Sequence, residues 1–78
     1  MKENYRERFR VLGLKIAYYR RLRGMTQEQL AEAIGRSVSF VSQIEANNSA
    51  AVKGISLETL FLICDQLSVS MSRLFEDI

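Results

Sequence analysis

Residues 26–45, TQEQLAEAIGRSVSFVSQIE, decide how this chain is read. Thr26-Gln27-Glu28-Gln29 is a capping-box sequence: the Thr26 hydroxyl accepts from the Gln29 amide, and the Gln29 side chain returns to Thr26. It predicts a helix in which Leu30, Ala31 and Ile34 form the buried face at three- and four-residue spacing. Gly35 then closes that helix, and Ser37 caps another after a brief turn. On this next helix Val41, Ile44 and Glu45 project one way, toward a core. Ser39, Ser42, Gln43 and Ala46 project the other way as a narrow stripe of short, polar side chains. Ala31 is small where the two helices must approach.

Outward from this pair, Phe9, Leu12, Ile16, Tyr19 and Leu22 predict a first helix from near Tyr5 to just before Gly24. Arg21 and Arg23 precede the glycine, where cations suit the negative end of the helix dipole, and both are expected to be solvated or phosphate-facing. Gly13 weakens that helix by roughly 1 kcal/mol relative to alanine. Residues 1–11 are therefore expected to form a basic arm or an extension of the first helix, and residues 12–78 the domain proper. Residues 47–54, NNSAAVKG, read as a loop rich in turn formers. Ser56 caps a fourth helix carrying Leu57, Leu60, Phe61, Cys64 and Leu67. Ser70 caps a short fifth with Met71, Leu74 and Phe75. No segment alternates as a strand, so the expected class is all-α, with five helices.

Seventy-eight residues make one domain with a small core. A single cysteine and no histidine exclude a Cys/His metal cage, a Ser-His triad and an internal disulfide. The carboxylates sit singly on helices, with no paired acid and base, phosphate loop or nucleophile, so neither catalysis nor a cofactor is expected. Cys64 falls on an apolar helix face and reads as a buried thiol. The charged N-terminus carries no signal-like apolar run and no stretch is long enough for a membrane span, which points to the cytoplasm.

Net charge is only +2, but it is unevenly spread. Residues 1–23 hold eight Lys and Arg against two Glu, a net +6, whereas residues 56–78 are at −3. Such asymmetry turns the N-terminal half toward a polyanion. Two short helices around a tight turn, the second with a polar stripe, have the layout of a helix-turn-helix, whose second helix enters the DNA major groove.

Over residues 12–75 the chain resembles the Cro/repressor-type, or XRE, helix-turn-helix family. The resemblance is carried by Ile16, Arg20, Gly24, the run Thr26-Gln27-Glu28-Gln29-Leu30-Ala31, Gly35, Ser37, Val41-Ser42-Gln43-Ile44-Glu45, Ser56-Leu57-Glu58-Thr59-Leu60 and Leu74-Phe75. It implies a compact five-helix bundle of the lambda-repressor-like kind that binds operator DNA as a dimer. It also implies that Gln27 touches phosphate and braces the recognition helix. Val38, Ser39 and Gln43 fall where base edges are read, and Arg20 and Glu45 match a partly buried ion pair. The loop after Glu45 is a few residues longer than is usual, and Gly54-Ile55 stands where proline is common.

Chemistry adds to these assignments. The Gln43 amide can pair with both N6 and N7 of adenine, whereas Ser39 and Ser42 carry little code of their own. Val38 can meet a thymine methyl or pack on the preceding helix, and Phe40 is expected over the junction of the two helices. Arg36, Ser37, Ser42, Asn47 and Lys53 join Gln27 as candidate phosphate ligands. Leu67, Val69, Met71, Leu74 and Phe75 exceed what a short last helix easily hides, and are expected to form a two-fold interface. The sequence thus predicts a double-stranded-DNA-binding transcriptional regulator, a homodimer on a pseudo-palindrome, able to block or touch RNA polymerase. The alternative is a protein-interaction module, antitoxin or adaptor, with DNA binding secondary.

Overall fold

Five side-chain oxygens set where helices begin. Thr26, Ser37, Asn48, Ser56 and Ser70 accept hydrogen bonds from the amides of Gln29, Phe40, Ala51, Thr59 and Arg73, three residues on in each case. Each bond satisfies a donor that the helix itself leaves open, and is worth about 1 kcal/mol. The computed structural model describes residues 2–46 and 48–78, with side chains from Tyr5 onward. It is all helical over those residues: α1 (Lys2–Leu22), α2 (Gln27–Ala33), α3 (Val38–Glu45), α4 (Ser49–Lys53), α5 (Leu57–Leu67) and α6 (Met71–Leu74).

The count is six rather than five because part of the expected loop is the short helix α4. Asn48 caps it, and Val52, only 3% exposed, gives it an apolar anchor. Turn-forming composition hid both signals. Val52 is anchored on α1, which runs unbroken through Gly13. A Cβ at Gly13 would stand 2.1 Å from the Ile44 carbonyl oxygen and 3.2 Å from Val52 Cγ2. The glycine therefore lets the backbones of α1 and α3 touch while α4 packs alongside, a constraint that helix propensity alone does not show.

The core is drawn from every helix. Ile16, Leu30, Val41, Ile44, Ile63, Leu67 and Leu74 are sealed from water. The Cα radius of gyration, 11.5 Å, equals that of a single packed domain of this length. Leu67 and Leu74, expected in a dimer interface, are each 0% exposed within the single chain and offer no surface to a second copy. The last helix is short, but it folds back so that Leu74 is closed over by the rest of the bundle. Val69 and Met71 are half-buried, and Phe75 is exposed.

On α5 the inner face is Thr59, Leu60, Ile63, Cys64 and Leu67, which turns Leu57 and Phe61 out to solvent. Leu22, in the last turn of α1, is exposed as well. Cys64 is buried, and burial, assisted by the neighbouring Asp65 charge, pushes its thiol pKa up. A thiol so held is a poor nucleophile.

Gly13→Ala tests the close approach of α1 and α3. Alanine is the better helix former by roughly 1 kcal/mol, yet overpacking against Ile44 should lower stability by about 1–3 kcal/mol in denaturant titration. An unchanged or raised midpoint would show that the two backbones do not meet there.

Candidate nucleic-acid interface

The Gly35 turn fixes how α3 leaves α2. Gly35 has φ +71°, its amide donates to the Glu32 carbonyl at 3.2 Å, and the Arg36 amide donates to the Ala31 carbonyl at 2.9 Å. That double bond pattern closes α2 and redirects the chain within two residues, so that Ser37 can cap α3 at once. Thr26 and Gln29 form both halves of the capping box at the other end of α2.

Where α3 ends, a buried ion pair ties it to α1. Arg20 Nε donates to Glu45 Oε2 at 2.7 Å and Arg20 Nη2 to Glu45 Oε1 at 2.8 Å. Both side chains are nearly removed from water, at 8% and 3% exposure. Arg20 Nη1 also donates to the Met25 carbonyl at 2.7 Å, and Gln27 Nε2 donates to Glu45 Oε1 at 2.9 Å. The hydrogen-bonded carboxylate raises the Arg20 pKa further above the ordinary guanidinium value. One node thus joins the end of α1, the start of α2 and the end of α3. Gln27 braces α3 through this bond.

Beyond the pair, the outward side of α3 is open. Val38, Ser39, Ser42 and Gln43 are all exposed, as is Ala46 beyond them. Val38 is 44% exposed, so it is not spent on packing against α2. Gln43 Nε2 donates to Ser39 Oγ at 3.3 Å, a long bond between neighbours one turn apart that an incoming acceptor can replace. The surface is exposed, with hydrogen-bond donors and acceptors along it.

The candidate phosphate ligands are less uniform. Arg36 is exposed but held: its guanidinium carbon lies 4.0 Å from the Phe40 ring centroid, and Nη1 donates to Thr59 Oγ1 at 3.5 Å. Stacking on an aromatic face preorganises a guanidinium without using up its fork of donors. Phe40 thereby covers the junction of α2 and α3 from its half-buried position. The Ser37 hydroxyl accepts from the Phe40 amide, so its oxygen is engaged as a cap while its proton can still be donated. Ser42 and Lys53 are exposed on α3 and α4. Asn47 lies outside the described residues.

Arg23 is exposed, in keeping with its sequence reading, but it also makes contacts that the sequence does not show. Its Nε donates to the Leu67 carbonyl at 2.6 Å and its Nη2 to the Ser68 carbonyl at 3.1 Å, which staples the end of α1 to the end of α5. Ser68 stands at φ +55°, and that left-handed turn is what aims the two carbonyls at Arg23. Residues 44 positions apart leave no local pattern from which the staple could be read.

The profile of the helix-turn-helix family matches residues 16–74 of the chain. An uncharacterized HTH-type transcriptional regulator of Bacillus subtilis (strain 168), YazB, is 38% identical over 61 residues, covering 74% of this chain and 88% of the relative. No solved structure gives a significant match.

Removal of the Glu45 carboxylate strands a buried guanidinium, so Glu45→Ala should lose about 3–5 kcal/mol of stability. Replacing both partners, as in Arg20→Met with Glu45→Leu, should recover most of that loss, since a buried pair and an apolar pair differ little in net stability. Equilibrium unfolding of the three chains decides it. A Glu45→Ala protein within 1 kcal/mol of the parent would sink the structural role of the pair.

Proposed function

Because this chain belongs to the XRE-type helix-turn-helix family of DNA-binding transcriptional regulators, we propose that it binds a specific double-stranded operator as a homodimer, with α3 in the major groove. The observation that carries this reading is the bare outward face of α3, set on a rigidly held helix. Gln43 pairs with an adenine edge, Ser39 adds an adaptable hydroxyl, and Val38 meets a thymine methyl. Gln27, Arg36, Ser37, Ser42 and Lys53 contact phosphate and fix the register of the helix without reading sequence.

A second copy supplies the symmetry. Leu57 and Phe61, one turn apart on α5, and Phe75 after α6 are 69%, 52% and 40% exposed, apolar side chains that a second copy could cover. Val69 and Met71 flank the same end of the chain. A two-fold axis through that surface would set two copies of α3 about 34 Å apart, one turn of DNA. Regulation would follow from occupancy of the operator in the cytoplasm, by excluding or touching RNA polymerase. No described helix is long and apolar enough to cross a membrane.

One feature favours a second reading, as a protein-interaction module. Leu14, Tyr18 and Leu22 are exposed at four-residue steps along α1, an apolar stripe suited to a partner helix. A monomer that retards no duplex would favour it.

Selection of bound sites from random DNA should return a pseudo-palindrome. Gln43→Ala should then relax preference at one base step per half-site, by about 5- to 150-fold, the equivalent of a lost bidentate pair at ~1–3 kcal/mol. Arg36→Ala should weaken all sequences alike. Selection that returns no common sequence would reject the operator reading.

A further inference from the structure

Two exposed apolar stripes lie outside the α2–α3 pair. On α1, Leu14, Tyr18 and Leu22 recur at four-residue steps. By helical period they stand on the side of α1 away from Gly13, Ile16 and Arg20, which face the core and α3. The Tyr18 ring is already fixed, packed edge-on against Tyr19 with the centroids 5.1 Å apart. An aromatic side chain held in this way loses little freedom when a partner covers it. On α5, Leu57 and Phe61 stand out one turn apart, with Leu62 beside them.

The two stripes carry opposite charge. Apart from the buried Arg20, the charged residues between Leu14 and Leu22 are Lys15 and Arg21, and no acid occurs among them. Lys15 donates to the Glu76 carbonyl, a neutral acceptor, while the Glu76 carboxylate is turned to Arg73 at 3.7 Å. Glu7, an acid nearer the start of α1, is bonded to Arg10. On α5 the charged residues are Glu58 and Asp65, both exposed, with no Lys or Arg from Leu57 to Leu67. Either stripe laid against its own copy would set like charges face to face. The basic stripe laid against the acidic one pairs them. A single chain does not make this contact, because both stripes stay exposed within it.

We propose that a second copy docks its α5 on the α1 stripe and receives α5 on its own α1 in return. Such a contact is isologous, made twice about one two-fold axis, and it closes at two chains. Tyr18 and Phe61 form its apolar centre, and Lys15 and Arg21 face Glu58 and Asp65 at the rim. The inference rests on the homodimer reading above and supplies its arrangement. The charges select the pairing, since the two like-with-like alternatives are repelled. Neither helix carries the outward face of α3, which stays open to DNA.

Two charge-swapped chains test the arrangement, one with Lys15→Glu and Arg21→Glu, the other with Glu58→Lys and Asp65→Lys. Both stripes are acidic in the first and basic in the second. Sedimentation equilibrium without DNA should show each alone dimerising about 100-fold more weakly than the parent, because like charges then meet at both contacts. Mixing the two in equal amounts should restore a mixed dimer of near-parental affinity. Tyr18→Ser, which leaves every charge in place, should weaken the parental dimer about 30-fold. Native helix content by circular dichroism would show that these exposed substitutions leave the fold intact. With the parent dimeric, a swapped chain that dimerises alone as well as the parent, a mixture that stays monomeric, or a Tyr18→Ser chain of parental affinity would overturn this arrangement alone. A parent that is monomeric at every concentration would overturn the homodimer reading with it.

Discussion

Arg20 and Glu45 are both withdrawn from water, and a charge so placed is tolerable only while its partner remains. That requirement fixes more than two side chains. Glu45 is the last residue of α3, Arg20 lies near the end of α1, and Gln27 opens α2, so the carboxylate receives bonds from both of the other helices. The outward face of α3 is consequently presented at one angle, since any rotation of that helix would pull Glu45 off the guanidinium. At the same end of α3 the Ile44 carbonyl rests on Gly13, and this backbone contact limits sliding as the ion pair limits rotation. The proposed reading of bases by Ser39 and Gln43 depends on that rigidity, because side chains of this length cannot reach far to correct a misplaced helix.

The arginines divide into those that build and those whose fork remains available. Arg20 and Arg23 are spent on Glu45, on the Met25 carbonyl and on the end of α5. Arg36 is intermediate, stacked on Phe40 and touching Thr59, yet still exposed. The +6 balance of the first 23 residues thus overstates the charge facing a polyanion, since Arg20 is buried on Glu45 and Arg23, though exposed, is bonded to the end of α5. Arg10 is also engaged, its Nε bonded to Glu7 Oε1 at 3.0 Å on the exposed side of α1.

Much of the fold is legible in the sequence because its signals are local. Thr26, Ser37, Ser56 and Ser70 mark helix starts within three residues of the amides that they cap, and Gly35 marks a turn within two. The outward stripe of α3 follows from helical period alone. The unread features are tertiary. Gly13 looks like a weak point until Ile44 and Val52 are seen against it. Asn48 and Val52 carry the cap and the anchor of α4, but five residues are too few to show a period. Leu67 and Leu74 look surplus because a pattern cannot show that α6 folds back to be enclosed. The Arg23 staple depends on a left-handed Ser68, a residue type that seldom advertises that conformation.

The central claim is that the exposed side of α3 meets the bases. Backbone amide chemical-shift mapping during titration with a duplex that the protein retains addresses it directly. The account predicts the largest perturbations at Val38, Ser39, Ser42 and Gln43, with α5 and α6 nearly silent once the dimer is formed. Perturbations centred on Leu57, Phe61 and Phe75, with the α3 amides unmoved, would contradict it.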